Sequence, residues 1–230
     1  MKLGIMQPYF MPYLGYWQLM SAVDKYVVYD DVNYIKGGWV SRNNILMNGQ
    51  KKMFTITLGG ASPNKLFNEV TVADDFVKFS KTLHTCYSKA PYYAETIELM
   101  QKIFDSNARD LGHFMLNSFH VVLDCLGIET KLILSSTIEK DNSLKGKDKV
   151  LSICKILGAD TYYNAIGGQK LYDKLEFADN GIKLSFVEPH LEAYKQVKTT
   201  EFIPGLSMID ILMHNSKEKI REMLKDYTLV

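Results

Sequence analysis

The chain has 230 residues, 47% of them hydrophobic, and a formal net charge of +1. That is enough for one compact domain with a sizeable core. The even charge balance argues against both a bulk nucleic-acid binder and an acidic disordered tail. Three scattered cysteines, Cys86, Cys125 and Cys154, make no disulfide framework and suit reduced, intracellular usage.

The chain opens without a long apolar leader, and no uncharged apolar run reaches the roughly 18 residues of a membrane helix. The expectation is a soluble cytoplasmic protein, with no membrane insertion and no nucleic-acid partner. Lys2 to Gln7 reads as a buried strand, and Tyr16, Leu19, Met20 and Val23 follow at helical spacing. "KYVVY" (25–29), "MFTITL" (53–58) and Glu69 to Val72 read as three further strands. From Asp75 to about Leu126 the apolar spacing is helical, with Pro91 opening one helix and Gly127 closing the last. This block is expected to be a cover or insertion on the sheet. The chain then alternates between strands at 131–135, 161–165 and 182–187 and helices at 147–157 and 171–177. "LEAYKQVKTTEFIPG" has no period and reads as a loop. Ser207 to Tyr227 reads as one long C-terminal helix, opened by a Ser207–Asp210 capping box. The fold class is α/β, a mostly parallel sheet with flanking helices joined by right-handed crossovers in a single domain.

In open parallel sheets, ligands bind beyond the carboxyl ends of the strands. Three unusual segments fall at such ends. After the first strand, Pro8 and Pro12 stiffen the chain, while Gln7, Tyr9, Tyr13 and Tyr16 offer amide and phenol groups suited to sugars, amides or a stacked base. After the second come Asp30, Asp31, Lys36, Trp39, Arg42, Asn43 and Asn44. The aspartates suit a base, a cation ligand or an amine orienter, and Arg42 suits a carboxylate or phosphate. An ion pair holding a surface loop, with Trp39 as its plug, is the structural alternative. The third segment contains Asn164, Gly167, Gly168 and Tyr172; its two glycines permit close backbone approach or merely a turn.

Upstream of that segment, Lys145, Lys147 and Lys149 crowd a helix start, where cations oppose the helix dipole unless an anion binds. A solvated charge cluster is the plainer alternative. His214 lies four residues beyond Asp210, a spacing open to proton transfer or to a satisfied interior histidine. His84, His113, His120 and His190 lack metal-ligand spacing. Cys154, on an apolar helix face, reads as core.

The stretches "IMQPYFMPYLGYWQLM", "DKYVVYDDVNYIKGGWVSRNNIL", "LKGKDKVLSICKILGADTYYNAIGGQKLYD" and "FIPGLSMIDILMHNS" resemble the successive motifs of the WbqC-like family, from residue 4 to the end. The resemblance implies a part in bacterial surface-polysaccharide (O-antigen) biosynthesis. It implies transfer of glycine, or another aminoacyl or acyl group, onto a nucleotide-linked amino sugar. In that reading Asp30, Asp31, Lys36 and His214 form the catalytic set. Gln7, Tyr9, Tyr13, Tyr16, Trp39, Arg42 and Asn43 contact substrate, with Lys145, Lys147 and Lys149 on a diphosphate and Asn164, Gly167, Gly168 and Tyr172 lining the pocket. No motif names a donor or a resident cofactor, and the oligomeric state stays open.

A shorter echo is to the nucleotidyl-transferring α/β superfamily that includes pantothenate synthetase, which carries H-x-G-H where this chain has Tyr13-Leu14-Gly15-Tyr16. It implies an adenylate-forming ligase using ATP and magnesium. A non-catalytic sugar-nucleotide-binding partner is the remaining alternative.

Overall fold

The structure is a computed structural model describing residues 1–230. The main sheet contains β1 (Lys2–Met6), β2 (Lys25–Val28), β7 (Lys131–Leu134), β8 (Thr161–Ala165), β9 (Lys183–Pro189) and β10 (Tyr227–Leu229). Their spatial order is β10-β9-β8-β1-β2-β7. All neighbours are parallel except β10, which runs antiparallel along the edge of β9. From β1 the chain builds outward through β2 to β7, then returns to the other side of β1 for β8 and β9. The strand order therefore reverses between β1 and β8, the topological switch point of a doubly wound sheet.

Both faces are covered, as a buried parallel sheet requires. On one face lie α1 (Leu14–Ser21), α2 (Val77–Tyr87), α3 (Tyr93–Phe104), α4 (Leu111–Leu126), α7 (Met208–His214) and α8 (Lys217–Met223). Their core includes Trp17, Phe114, Phe119 and Met213, all fully buried. Leu3 and Ile5 of β1 point to the other face, where they meet Val150, Ile153 and Cys154 of α5 (Gly146–Ile156) and Phe177 of α6 (Lys174–Asp179). Burial pushes the Cys154 thiol up to about 12, consistent with a core residue. No helix is long and apolar enough to cross a membrane.

The 75–126 block is helical as expected, resolved into α2, α3 and α4, and Gly127 closes α4 at φ 64°. Five other expectations are revised. The strands expected at 53–58 and 69–72 lie outside the main sheet. β3 (Arg42–Met47) and β4 (Gln50–Thr55) form an antiparallel hairpin, and β5 (Leu58–Gly59) pairs with β6 (Thr71–Val72). The hairpin turns on Asn48-Gly49, both at positive φ, the residue pair a two-residue primed turn demands. Helix α3 begins at Tyr93, two residues after Pro91.

The helix expected at 171–177 is a 3₁₀ turn over Ile166–Lys170, followed by α6, which the Asp173 carboxylate caps. The long final helix is broken into α7 and α8. Asn215 is extended, Ser216 caps the second piece through Lys219 N–H, and the chain then returns as β10. At the start of α7 the Ser207 hydroxyl accepts from Ile209 N–H, while the Asp210 carboxylate is engaged elsewhere, so the capping box is only half formed.

Candidate functional site

Two adjoining cavities open at the switch point and share Met6 and Gln7, the last residue of β1 and the one after it. The outer one, about 520 Å³, is lined by Gln7, Tyr9, Tyr13, Tyr16, Trp39 and Asn43, with neighbouring backbone. The inner one, about 290 Å³, is lined by Gln7, Tyr29, Asn164, Gly167, Gly168 and Tyr172 among others. Ten of the expected site residues thus gather around one cleft. Gln7 stands at the junction, and its Nε2 is buried with no hydrogen-bond partner. A buried donor left unmade is costly unless something accepts from it.

The outer wall is held by the proline-rich segment. Met11, between Pro8 and Pro12, sits at φ 46°, a left-handed conformation unusual for its type. Its carbonyl accepts from Asn43 Nδ2 and from the Ser207 hydroxyl, each at 2.7 Å, which fixes that strained backbone from two sides. Trp17 Nε1–H donates to the Pro12 carbonyl at 3.0 Å. Tyr9 and Tyr16 pack edge to face with centroids 5.3 Å apart, and the Tyr16 hydroxyl donates to the Gln7 carbonyl at 3.3 Å. Burial raises the phenols of Tyr9 and Tyr13 above their ordinary range, so at neutral pH they are hydrogen-bonding hydroxyls rather than bases. Trp39 forms an exposed rim, 52% accessible, with the Arg42 guanidinium 6.0 Å from its ring. Arg42 braces the tryptophan and lines neither cavity.

In the inner cavity the Asn164 amide donates to the Tyr162 hydroxyl at 2.6 Å, and its Oδ1 lies against Gly168, where an added Cβ would come within 2.5 Å. Gly168 is therefore required by close packing on Asn164. Gly167 faces open space.

The remaining expected residues lie elsewhere. Asp30 is buried and fully used: its oxygens accept from Ser136 N–H at 2.9 Å and from the Ser136 hydroxyl at 2.6 Å, with the Asn68 amide at 3.4 Å. It ties the end of β2 to the end of β7. Asp31 Oδ2 is bound by Lys140 Nζ at 2.7 Å and Lys149 Nζ at 3.1 Å. Burial alone would raise the Asp31 carboxyl, but the groups around it, Lys140 foremost, hold it below the usual carboxylate range. A base so stabilised as its anion is a weak one.

The two aspartates serve different partners, and nowhere do three His, Cys, Asp or Glu side chains gather with metal-ligand geometry. These residues do not fit the magnesium of the adenylate-forming alternative. Lys36 and Lys145 are exposed, and Lys147 pairs with Glu176 at 2.7 Å. His214 lies under the 190–206 loop. Its Nε2 accepts from Val197 N–H at 3.0 Å, and its Nδ1–H donates to the Asp210 carbonyl at 2.7 Å. With both nitrogens engaged it is a satisfied interior histidine, away from the cleft.

Two components escaped the sequence reading. Tyr29, the residue after β2, was visible as a strand-end aromatic. Lys140 follows no pattern in the chain and joins Asp31 only through the fold. Other depressions exist, including one of about 400 Å³ between α3, α4 and the α7–α8 turn, and a groove of about 1040 Å³ lined by Lys89, Lys195, Lys198 and His214. Neither includes a buried side-chain donor or acceptor left without a partner.

The sequence profile of the WbqC-like protein family matches residues 7–222. The chain is similar to the uncharacterized protein Rv1507c of Mycobacterium tuberculosis (strain ATCC 25618 / H37Rv), 25% identical over 227 residues, covering 94% of this chain and 95% of that protein. No solved structure matches the chain.

Proposed function

This chain belongs to the WbqC-like protein family, and from that premise we propose that it is a transferase placing an aminoacyl group, glycyl or another, or a simple acyl group on a nucleotide-linked amino sugar in surface-polysaccharide (O-antigen) biosynthesis. The observation that carries this reading is the pair of cavities meeting at Gln7 on the switch point. Two adjoining compartments suit the two parts of a nucleotide-linked sugar, and holding a reactant in one orientation is itself a large part of catalysis.

In the reaction, an amide bond forms between the sugar nitrogen and the acyl carbon. The bond from that carbon to the donor's activating group breaks, and the nitrogen's proton leaves with the departing group. In this reading the Gln7 amide holds the ligand where the two cavities meet, while the Tyr9 and Tyr13 hydroxyls orient the sugar and meet the carbonyl oxygen as it gains charge. The aromatic rim at Trp39 suits the face of a ring.

A non-catalytic holder of the same ligand is favoured by a different observation: no carboxylate or imidazole lines either cavity. One experiment separates the two. The full chain is incubated with nucleotide-linked amino sugars and activated amino acids, and the products are weighed by mass spectrometry. The transferase reading expects the mass of the amide, reduced at least tenfold in Gln7→Ala. Ligand binding with no amide from any donor would establish the holder instead.

A further inference from the structure

Two buried ammonium groups share one carboxylate at the carboxyl ends of β2 and β7. The side chain of Lys140 is 1% exposed and that of Lys149 8%, and both reach Asp31, itself 10% exposed. No other acidic side chain pairs with either lysine, so two ammonium groups share a single paired carboxylate; the neighbouring buried Asp30 is bound by Ser136 and Asn68 instead. A buried charge without a counter-charge is unfavourable, and an anion drawn into the site removes the imbalance.

The two lysines are not equivalent. Lys140 has three acceptors for its three N–H groups: Asp31 and the carbonyls of Ser135 and Ile138. Lys149 has only Asp31 Oδ2 and the Asp31 carbonyl at 3.2 Å, which leaves one N–H unassigned. Its ammonium lies 5.4 Å from the centroid of the Tyr29 ring, and Tyr29 and Val150 line the inner cavity. Gln7 Nε2, the orphaned donor, borders the same cavity. The 290 Å³ chamber, with no acidic side chain in its lining, therefore has one spare donor in its wall, Gln7, and a second, Lys149, behind the Tyr29 ring that forms part of that wall.

We propose that the inner cavity takes a phosphate group of the ligand, with Lys149 supplying the charge, Gln7 an amide N–H, and Asp31 and Lys140 positioning Lys149. This deepens the nucleotide-linked reading of the cleft and rests on it for the rest of the ligand. The outer aromatic cavity then takes the uncharged ring portion. Of the basic helix start, only Lys149 takes part, since Lys145 is exposed and Lys147 is held by Glu176.

The test is calorimetric titration of the full chain with UDP, uridine and inorganic pyrophosphate. Wild type should bind UDP at least tenfold more tightly than uridine. Lys149→Met should erase that preference while leaving uridine unchanged, and Lys147→Met should stay within twofold of wild type. Gln7→Leu, which leaves the ion cluster intact, should lower UDP affinity at least threefold. It keeps the test decisive should Lys149→Met fail to fold.

Equal UDP affinity in wild type and Lys149→Met, or in Gln7→Leu if that variant must stand in, overturns the subsite. Uridine binding with no gain from phosphate overturns it and leaves the nucleotide reading standing. Lys149-dependent binding of pyrophosphate without UDP or uridine keeps the subsite and defeats the nucleotide reading. No binding of either UDP or pyrophosphate overturns the subsite.

Discussion

Two buried polar clusters hold this molecule together, and they are built on opposite plans. Around Asp210, fully buried in α7, every group is matched: its oxygens accept from Tyr87 at 2.8 Å, Tyr194 at 2.7 Å and Gln196 at 2.8 Å. Gln196 completes its remaining bonds on the 190–206 backbone, and His214 accepts from that backbone at Nε2 while its Nδ1 meets the Asp210 carbonyl. Around Asp31 the matching fails. Two lysines face one carboxylate, and Asp31 Oδ1 has no partner. The matched cluster pins a loop to a helix. The unmatched one borders a cavity at the topological switch point. Both would look alike in a composition of Asp, Lys, His and Tyr, and only satisfaction separates them.

The largest effect should come from breaking the unmatched cluster at its centre. Asp31→Ala leaves two buried ammonium groups with no counter-charge and should cost about 3–5 kcal/mol in denaturant unfolding. The milder Asp31→Asn adds a pH signature. Because the folded-state carboxyl is held below its ordinary value, its contribution is fully present above the unfolded pKa of about 3.9 and is lost as pH falls through the lower folded value. The stability gap between wild type and Asp31→Asn should therefore be flat from pH 7 to 5 and narrow below about pH 4. A gap that stayed constant down to pH 3 would mean that the lysines do not hold Asp31.

The matched cluster should break less steeply. Asp210→Asn keeps the shape but turns one acceptor oxygen into a donor, facing either the Tyr87 hydroxyl or the Tyr194 hydroxyl and Gln196 amide. A loss of about 2–3 kcal/mol is expected, read in the same unfolding experiment. Hydrogen exchange should also rise along 190–206, since Tyr194 and Gln196 are what tie that loop to α7. If the loop stayed protected, the network would be incidental to it.

This contrast marks how far the chain can be read without its fold. Gln7, Tyr9, Tyr13 and Tyr16 sit on one short segment after a recognisable strand, and Asn164, Gly167 and Gly168 on another. Local spacing was enough to nominate both, because strand ends are legible. The aspartates were nominated for their chemistry, but whether a carboxylate is spent depends on residues a hundred positions away: Ser136 for Asp30, Lys140 and Lys149 for Asp31. The β3–β4 hairpin is legible at Asn48-Gly49, but "DDVNYIKGGWVSRNN" reads as one loop and conceals the start of β3. The break in the last helix was harder: apolar spacing continues through Ile220 and Met223, and only Asn215-Ser216 marks the interruption.

Inside the cleft, the two adjacent glycines allow a finer comparison. Gly168→Ala would drive a Cβ to 2.5 Å from Asn164 Oδ1, and Asn164 is held by its bond to Tyr162. Overpacking of that kind should cost about 1–3 kcal/mol. Gly167→Ala meets nothing within 4 Å and should stay within about 0.5 kcal/mol of wild type. Equal costs at the two positions would mean that backbone conformation, rather than contact with Asn164, selects glycine there.

A change in stability nearly as small should follow from Lys149→Met, and that is its value. Removing one of two lysines leaves Asp31 and Lys140 as a balanced pair, with all three Lys140 acceptors intact. The apolar side chain then replaces an ammonium without orphaning a charge, so unfolding should shift by no more than about 1 kcal/mol in either direction. Lys140→Met is the mirror experiment. It also leaves one lysine on Asp31, but it strips donors from the carbonyls of Ser135 and Ile138 and should be the more destabilising of the two. If Lys149 were instead the structural member, the order would invert. The cluster would then be a matched network like that of Asp210, with no charge to spare for a ligand.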